Sequence, residues 1–175
     1  IFKTPIIYNF RKNDIVCGGN GAPLMPFLDY LLFKDLSKDY ITLNIGGISN
    51  VSFIPKESCD YSILGFDTGP GMGIIDRASE LLFNKSYDKD ACISEKGSVN
   101  KLILDKLMSI KYINDIPPKS TDINFFGSNL LNSILKDYRD CNPNDLIRTL
   151  VQFTIESINL NIRKFINLSG DYELV

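Results

Sequence analysis

Histidine is absent from the 175 residues of this chain. That excludes Ser-His-Asp and Cys-His catalysis, and most zinc sites. Any acid–base work falls to Asp, Glu, Lys, Tyr or Cys. Cysteine is sparse. Cys17, Cys59, Cys92 and Cys141 are scattered without a C-x-x-C pair. This fits reduced thiols in a cytosolic protein rather than a disulfide framework. No apolar run approaches the roughly 20 residues of a membrane span, and no signal-peptide pattern opens the chain. A net charge of −2 with no basic stripe argues against a nucleic-acid partner. The two commonest nucleotide loops, G-x-G-x-x-G and G-x-x-x-x-G-K-[ST], are missing.

What is present is an ordinary globular composition, 44% hydrophobic and 23% charged, long enough for one domain or pieces of two. Pro5–Phe10 reads as a strand and Arg11–Asp14 as a polar turn. Leu24–Phe33 repeats apolar residues at helical spacing, with its prolines in the first turn. Ile41–Ile45 and Val51–Ile54 flank Gly46-Gly47, the pattern of a hairpin. A third strand is expected over Tyr61–Phe66, ended by Gly69-Pro-Gly-Met-Gly73.

Helices follow. The first runs over Gly73–Phe83, with Ile74, Ala78, Leu81 and Leu82 inward. The second runs over Ser98–Ile110, with Val99, Leu102, Ile103, Leu107 and Ile110 inward. Pro117-Pro118 forces a loop, and Phe125–Tyr138 is a shorter helix. The longest helix has Asn142 as cap, Pro143 at its first position and Gly170 as a stop. Its inward stripe is Leu146, Leu150, Phe153, Ile158, Ile162, Phe165 and Ile166. The fold class is therefore mixed α/β, with consecutive strands before helices rather than a plain alternation. Ile1–Phe10 and Asp171–Val175 both read as cut strands, so a fragment of a longer protein is expected.

Two stretches carry chemistry. In Leu43-Asn-Ile-Gly-Gly-Ile-Ser-Asn50 a glycine pair lets backbone N–H groups approach phosphate oxygens, with Asn44 and Asn50 as extra donors. An ordinary hairpin needs no ligand and explains the same glycines. In Gly65-Phe-Asp-Thr-Gly-Pro-Gly71, Asp67 ends a strand and precedes a helix start. It could be a general base, a metal–phosphate residue or a turn cap. An aspartic protease also carries Asp-Thr-Gly but needs two such aspartates, and its chain continues as β-structure rather than a helix. Arg11 beside Asp14 offers a forked guanidinium suited to a sugar acid, or a solvated turn. Lys119-Ser120-Thr121 reads as a phosphate contact or a surface loop.

Taken in order, these segments resemble the anhydro-N-acetylmuramic acid kinases of cell-wall recycling. The matching pieces are Asn9-Phe-Arg11 with Asp14, Gly18-Gly-Asn-Gly-Ala-Pro-Leu24, Leu43–Asn50, Gly65–Gly71 with Asp76, Tyr87–Ala91 with Gly97, and Pro117–Thr121. The resemblance implies the actin/hexokinase/Hsp70-like (ribonuclease H-like) fold, here incomplete. Residues 1–38 would end its first domain and residues 39–175 would begin its second. It implies ATP and Mg2+ as cofactors, a cytoplasmic enzyme and a homodimer at full length. Asp67 would be the general base. Arg11, Asp14, Gly21, Ala22 and Pro23 would bind the sugar. Asn44, Gly46, Gly47, Asn50, Gly69 and Gly71 would face the nucleotide. Met72 and Asp122-Ile-Asn124 depart from the family pattern, and the phosphate loop and adenosine motif at the family's two ends are not in this sequence. The chain alone is therefore expected to be inactive. The alternative is a non-catalytic sugar-binding or interaction protein of the same fold.

Overall fold

In a computed structural model of the protein, residues 3–6, 8–19, 21, 24–34, 37–56, 62–168 and 171–175 are described. The elements run α1 (Phe10–Val16), α2 (Met25–Phe33), β1 (Asp39–Ile45), β2 (Ile48–Ile54), β3 (Leu64–Pro70) and α3 (Gly73–Phe83). They continue α4 (Lys101–Met108), α5 (Lys111–Asn114), α6 (Leu130–Asp137), α7 (Pro143–Phe165) and β4 (Tyr172–Leu174).

The four strands form one mixed sheet in the order β3-β2-β1-β4. The β1–β2 hairpin turns at Gly46-Gly47, β3 adds antiparallel to β2, and β4 lies parallel to β1. Val51 to Ile54 are all buried because both faces of β2 are covered, by α2 on one and α7 on the other. Ser52 meets Asp29 of α2, while Val51 and Phe53 share a cluster with Ile41, Phe66 and Ile166. A second, larger cluster fills the space among α3, α4, α5, α6 and α7, with Ile74, Ile103, Ile113, Phe126, Ile147 and Phe153 all essentially solvent-free.

Several expectations need correction. Residues 8 and 9 are not strand, and Arg11 and Asp14 lie on α1 rather than in a turn. Ile6 and Tyr8 are largely exposed, and among the described residues no strand pairs with this segment, so nothing holds it in a sheet. β3 runs on through Pro70 instead of stopping at Phe66. It is an edge strand, where proline removes no needed ladder bond. The helix expected from Ser98 begins at Lys101, capped by the Asn100 side chain, which accepts from the Ile103 N–H. Phe125–Asn129 is a π turn ahead of α6, broken by the non-helical backbone of Gly127. Leu81 and Leu102 were expected inward and are exposed, whereas Ile75 and Ser79 are buried. The Asn142 cap and Pro143 start of α7 are as expected, and Gly170 lies outside the described residues.

Candidate active site

β3 carries the central carboxylate. Across the β2–β3 pair, Ser49 lies opposite Gly69 and Asn50 opposite Asp67, so Thr68 has no partner and forms a bulge. The bulge re-aims the strand where Asp67 sits. Across the hairpin, Asn44 lies opposite Asn50. Asn44, Asn50 and Asp67 therefore form one polar row over three strands, and directly opposed residues share a face. The bulge is fastened by hydroxyls. Ser49 and Thr68 are hydrogen-bonded at 2.7 Å, and Ser49 also donates to the Pro70 carbonyl at 2.8 Å.

Asp67 is only 7% exposed. Its Oδ2 accepts from the Ser120 hydroxyl at 3.1 Å and from the Thr121 N–H at 2.9 Å. Among the described residues nothing donates to its Oδ1, which is not sealed from solvent as Asp76 Oδ1 and Asn161 Oδ1 are. The Asp67 backbone is held as well. Its N–H donates to the Lys119 carbonyl at 3.1 Å, and the Tyr112 hydroxyl donates to its carbonyl at 3.0 Å. Burial first, then the charges of Asp67 and Asp115, push the Tyr112 phenol well above its ordinary range, which keeps it a donor. Ser120 and Thr121 thus bind a buried carboxylate rather than forming a free surface loop.

The hairpin tip is stitched to the start of α3. Gly71 and Gly73 N–H groups donate to the Gly47 carbonyl at 3.0 and 3.2 Å, and Met72 N–H donates to the Gly46 carbonyl at 2.7 Å. The Met72 and Gly73 N–H groups at the start of α3 thus already have backbone partners. Gly69 has a φ of +140°, and a β-carbon there would lie 2.9 Å from Ile113 Cδ1. At Gly71 it would lie 2.1 Å from the Gly46 oxygen. Both glycines are explained by close packing. Gly46 is open, with its nearest neighbour at 3.5 Å, and at Gly47 only the flexible end of Ile123 approaches.

The structure brings Asn44, Asn50, Asp67 and the Gly46–Gly47 turn onto one sheet. Among the described residues no hydrogen bond joins α1 to β3. Arg11 is exposed, and Asp14 accepts from the Gly21 N–H at 2.6 Å. Ala22 and Pro23 lie outside the described residues. Asn44 and Asn50 line a cavity of about 260 Å³ with Met25, Asp29, Thr42 and Leu43. Asp29 was not anticipated. It is buried and accepts from Thr42 and Ser52 hydroxyls at 2.8 and 2.5 Å. Its signal in the sequence is an acid within an otherwise apolar helix. A second cleft, of about 320 Å³, opens beside Gly73, Asp76, Ile123 and Asn124, and burial raises the Asp76 carboxyl above its ordinary range. Cys17, Cys92 and Cys141 are free thiols, while Cys59 lies outside the described residues. Among the described residues no helix is long and apolar enough to cross a membrane.

This mixed α/β sheet with a glycine hairpin at its tip is of the class built on the sugar kinase/actin-like ATPase fold. The profile of one kinase family in that class, anhydro-N-acetylmuramic acid kinase, matches residues 3–170. Curated proteins of that name are 44% identical in Clostridioides difficile, 42% in Francisella tularensis subsp. novicida and 40% in Bacillus cereus, each over 164 residues. The chain belongs to the anhydro-N-acetylmuramic acid kinase family. Each alignment covers 94% of this chain and 43% of the relative, so the chain spans less than half the length of these relatives.

Proposed function

We propose that this chain is part of an ATP-dependent kinase that opens 1,6-anhydro-N-acetylmuramic acid with water and phosphorylates O6. The product would be N-acetylmuramic acid 6-phosphate, made in the cytoplasm during peptidoglycan recycling. The observation that supports this most is the state of the Asp67 carboxylate. One oxygen is anchored by Ser120 and Thr121, and among the described residues no group donates to the other. A general base needs both features, a fixed orientation and an open lone pair. Asp67 would take a proton from the water that attacks the anomeric carbon, as O6 passes to the γ-phosphate.

Arg11 and Asp14, with Gly21, Ala22 and Pro23, would orient the sugar from residues 1–38, the end of a first domain. Residues 39–175 would begin the second domain, whose sheet starts at Asp39. Asn44, Asn50 and the Gly46–Gly47 turn would face the ATP phosphates together with Gly69 and Gly71, of which Gly71 packs closely against that turn and Gly69 against Ile113 and Ser157. Magnesium would be bound chiefly through phosphate oxygens, as is usual for this ion, and would neutralise their charge. The full-length protein would pair as a homodimer.

The test transplants this sequence into the Clostridioides difficile relative, in place of the matching 164 residues. ATP-dependent phosphorylation of the anhydro-sugar is then assayed, and sugar binding is measured by calorimetry. Turnover is expected in the transplant. In Asp67→Asn it should fall by about 10²–10⁴-fold with sugar binding retained. A folded transplant that binds sugar without turnover would favour the non-catalytic reading. Full turnover in Asp67→Asn would remove Asp67 as the base.

A further inference from the structure

Lys119 is only 6% exposed. Among the described residues it makes no ion pair, an uncommon state for a buried lysine. Its ammonium instead donates to the carbonyls of Tyr112 at 2.9 Å and Ile113 at 3.2 Å, both within α5. Three rings surround it, with centroids at 4.9 Å for Tyr112, 5.2 Å for Phe165 and 6.0 Å for Phe66. A methionine would fill this apolar cage at lower desolvation cost, so packing alone does not account for a charge there.

The groups that Lys119 fastens are those that hold Asp67. Its own carbonyl accepts the Asp67 N–H. The next two residues, Ser120 and Thr121, donate to the Asp67 carboxylate. Tyr112, whose carbonyl Lys119 binds, donates its hydroxyl to the Asp67 carbonyl. Ile113, the other carbonyl it binds, also accepts from Asn161 Nδ2, which reaches the Thr68 carbonyl as well. The backbone on both sides of the carboxylate, and the carboxylate itself, are thus tied to one buried cation.

We propose that Lys119 is a positioning residue for Asp67, fastening α5 and residues 119–121 into the cradle that fixes the carboxylate's orientation. This rests on the reading of Asp67 as the base. The charged and titratable groups around Lys119 are Tyr112 on α5, Asp115 just after it, Lys164 on α7 and Asp67 on β3. Burial lowers its pKa to about 8, with Asp115 opposing and Lys164 assisting. The cradle is therefore held by an ammonium below pH 8 and weakened above it, where the attraction to the rings is lost.

The experiment compares Lys119→Met and Lys119→Arg with the parent transplant. In Lys119→Met, kcat should fall by about 10²-fold, the cost of a small misplacement of a reacting group. KM for ATP should stay the same. The alkaline fall of kcat near pH 8 should disappear in Lys119→Met and move out of the measured range in Lys119→Arg. The urea midpoint of Lys119→Met at pH 7 should equal or exceed that of the parent. Amide exchange at Thr121 and Asp67, read by NMR, should speed up in Lys119→Met.

Unchanged kcat with the alkaline limb intact would overturn the proposal. So would failure of Lys119→Met to fold, or an activity loss that follows a lowered urea midpoint, since each marks a purely structural lysine. If the parent has no turnover, the kinase reading fails on its own. Faster exchange at Thr121 and Asp67 would then still support the positioning role, and unchanged exchange would refute it.

Discussion

Replacing Gly71 by alanine tests the seam between the hairpin tip and α3. The new β-carbon would lie 2.1 Å from the Gly46 carbonyl oxygen and 3.1 Å from the Gly46 and Ile48 carbonyl carbons. All three neighbours are backbone, so no side chain can swing aside. The turn must move away, and three bonds stretch together: Gly71 and Gly73 N–H to the Gly47 carbonyl, and Met72 N–H to the Gly46 carbonyl. At about 0.5–1.5 kcal/mol each, their loss amounts to about 1.5–4.5 kcal/mol. For a chain of this size that lowers the melting temperature by about 3–18 °C.

Gly46→Ala is the control on the other side of the same seam. Its β-carbon would meet nothing closer than the Ile48 oxygen at 3.5 Å, an ordinary contact. The cost should stay within about 0.5 kcal/mol, as for most substitutions that break no contact. Urea unfolding of both variants, followed by circular dichroism at 25 °C, measures the difference. If Gly71→Ala unfolds at the parent's midpoint, or Gly46→Ala loses as much, the seam is not what fixes the turn.

Two further outcomes follow from the packing. Phe153→Ala empties a solvent-free site in the larger cluster, where Phe126 stands 6.2 Å away centroid to centroid, and should cost about 3–5 kcal/mol in the same urea assay. Asn142→Ala removes the oxygen that accepts the Asn144 N–H at 2.9 Å, and should cost about 1 kcal/mol without changing the denaturant slope.

Local signals were enough wherever the determining partners are neighbours in the chain. Asn142 and Pro143 mark the start of α7 through their own backbone chemistry, and the Gly46–Gly47 pair needs only its two flanking strands. Signals failed where the answer depends on distant residues. Ile6 and Tyr8 have strand character but, among the described residues, no strand beside them. Leu81 and Leu102 fit an inward stripe but are exposed; on α3 the unanticipated Ile75 is buried, while on α4 only Ile103 and Leu107 of the expected stripe are fully buried.

The site divides in the same way. Asp67, Asn44 and Asn50 were legible as separate motifs. Their alignment in one row was not, because it depends on strand register and on one unpaired residue, Thr68. Lys119 was legible only as a cation after two prolines. Its burial comes from Phe66, Tyr112 and Phe165, which lie 53, 7 and 46 positions away in the chain.

α7 is 23 residues long, about 34 Å at the usual rise per residue. Leu146, Leu150 and Phe153 near its start belong to the helical cluster, while Ile162 and Phe165 near its end pack on the cluster beneath the sheet. Two separate oily nuclei would ordinarily allow melting in two stages. One rigid rod embedded in both denies that route, because releasing either nucleus strips half the rod's support. The sheet that carries Asp67 and the helices that brace it should therefore be lost together, in a single cooperative transition.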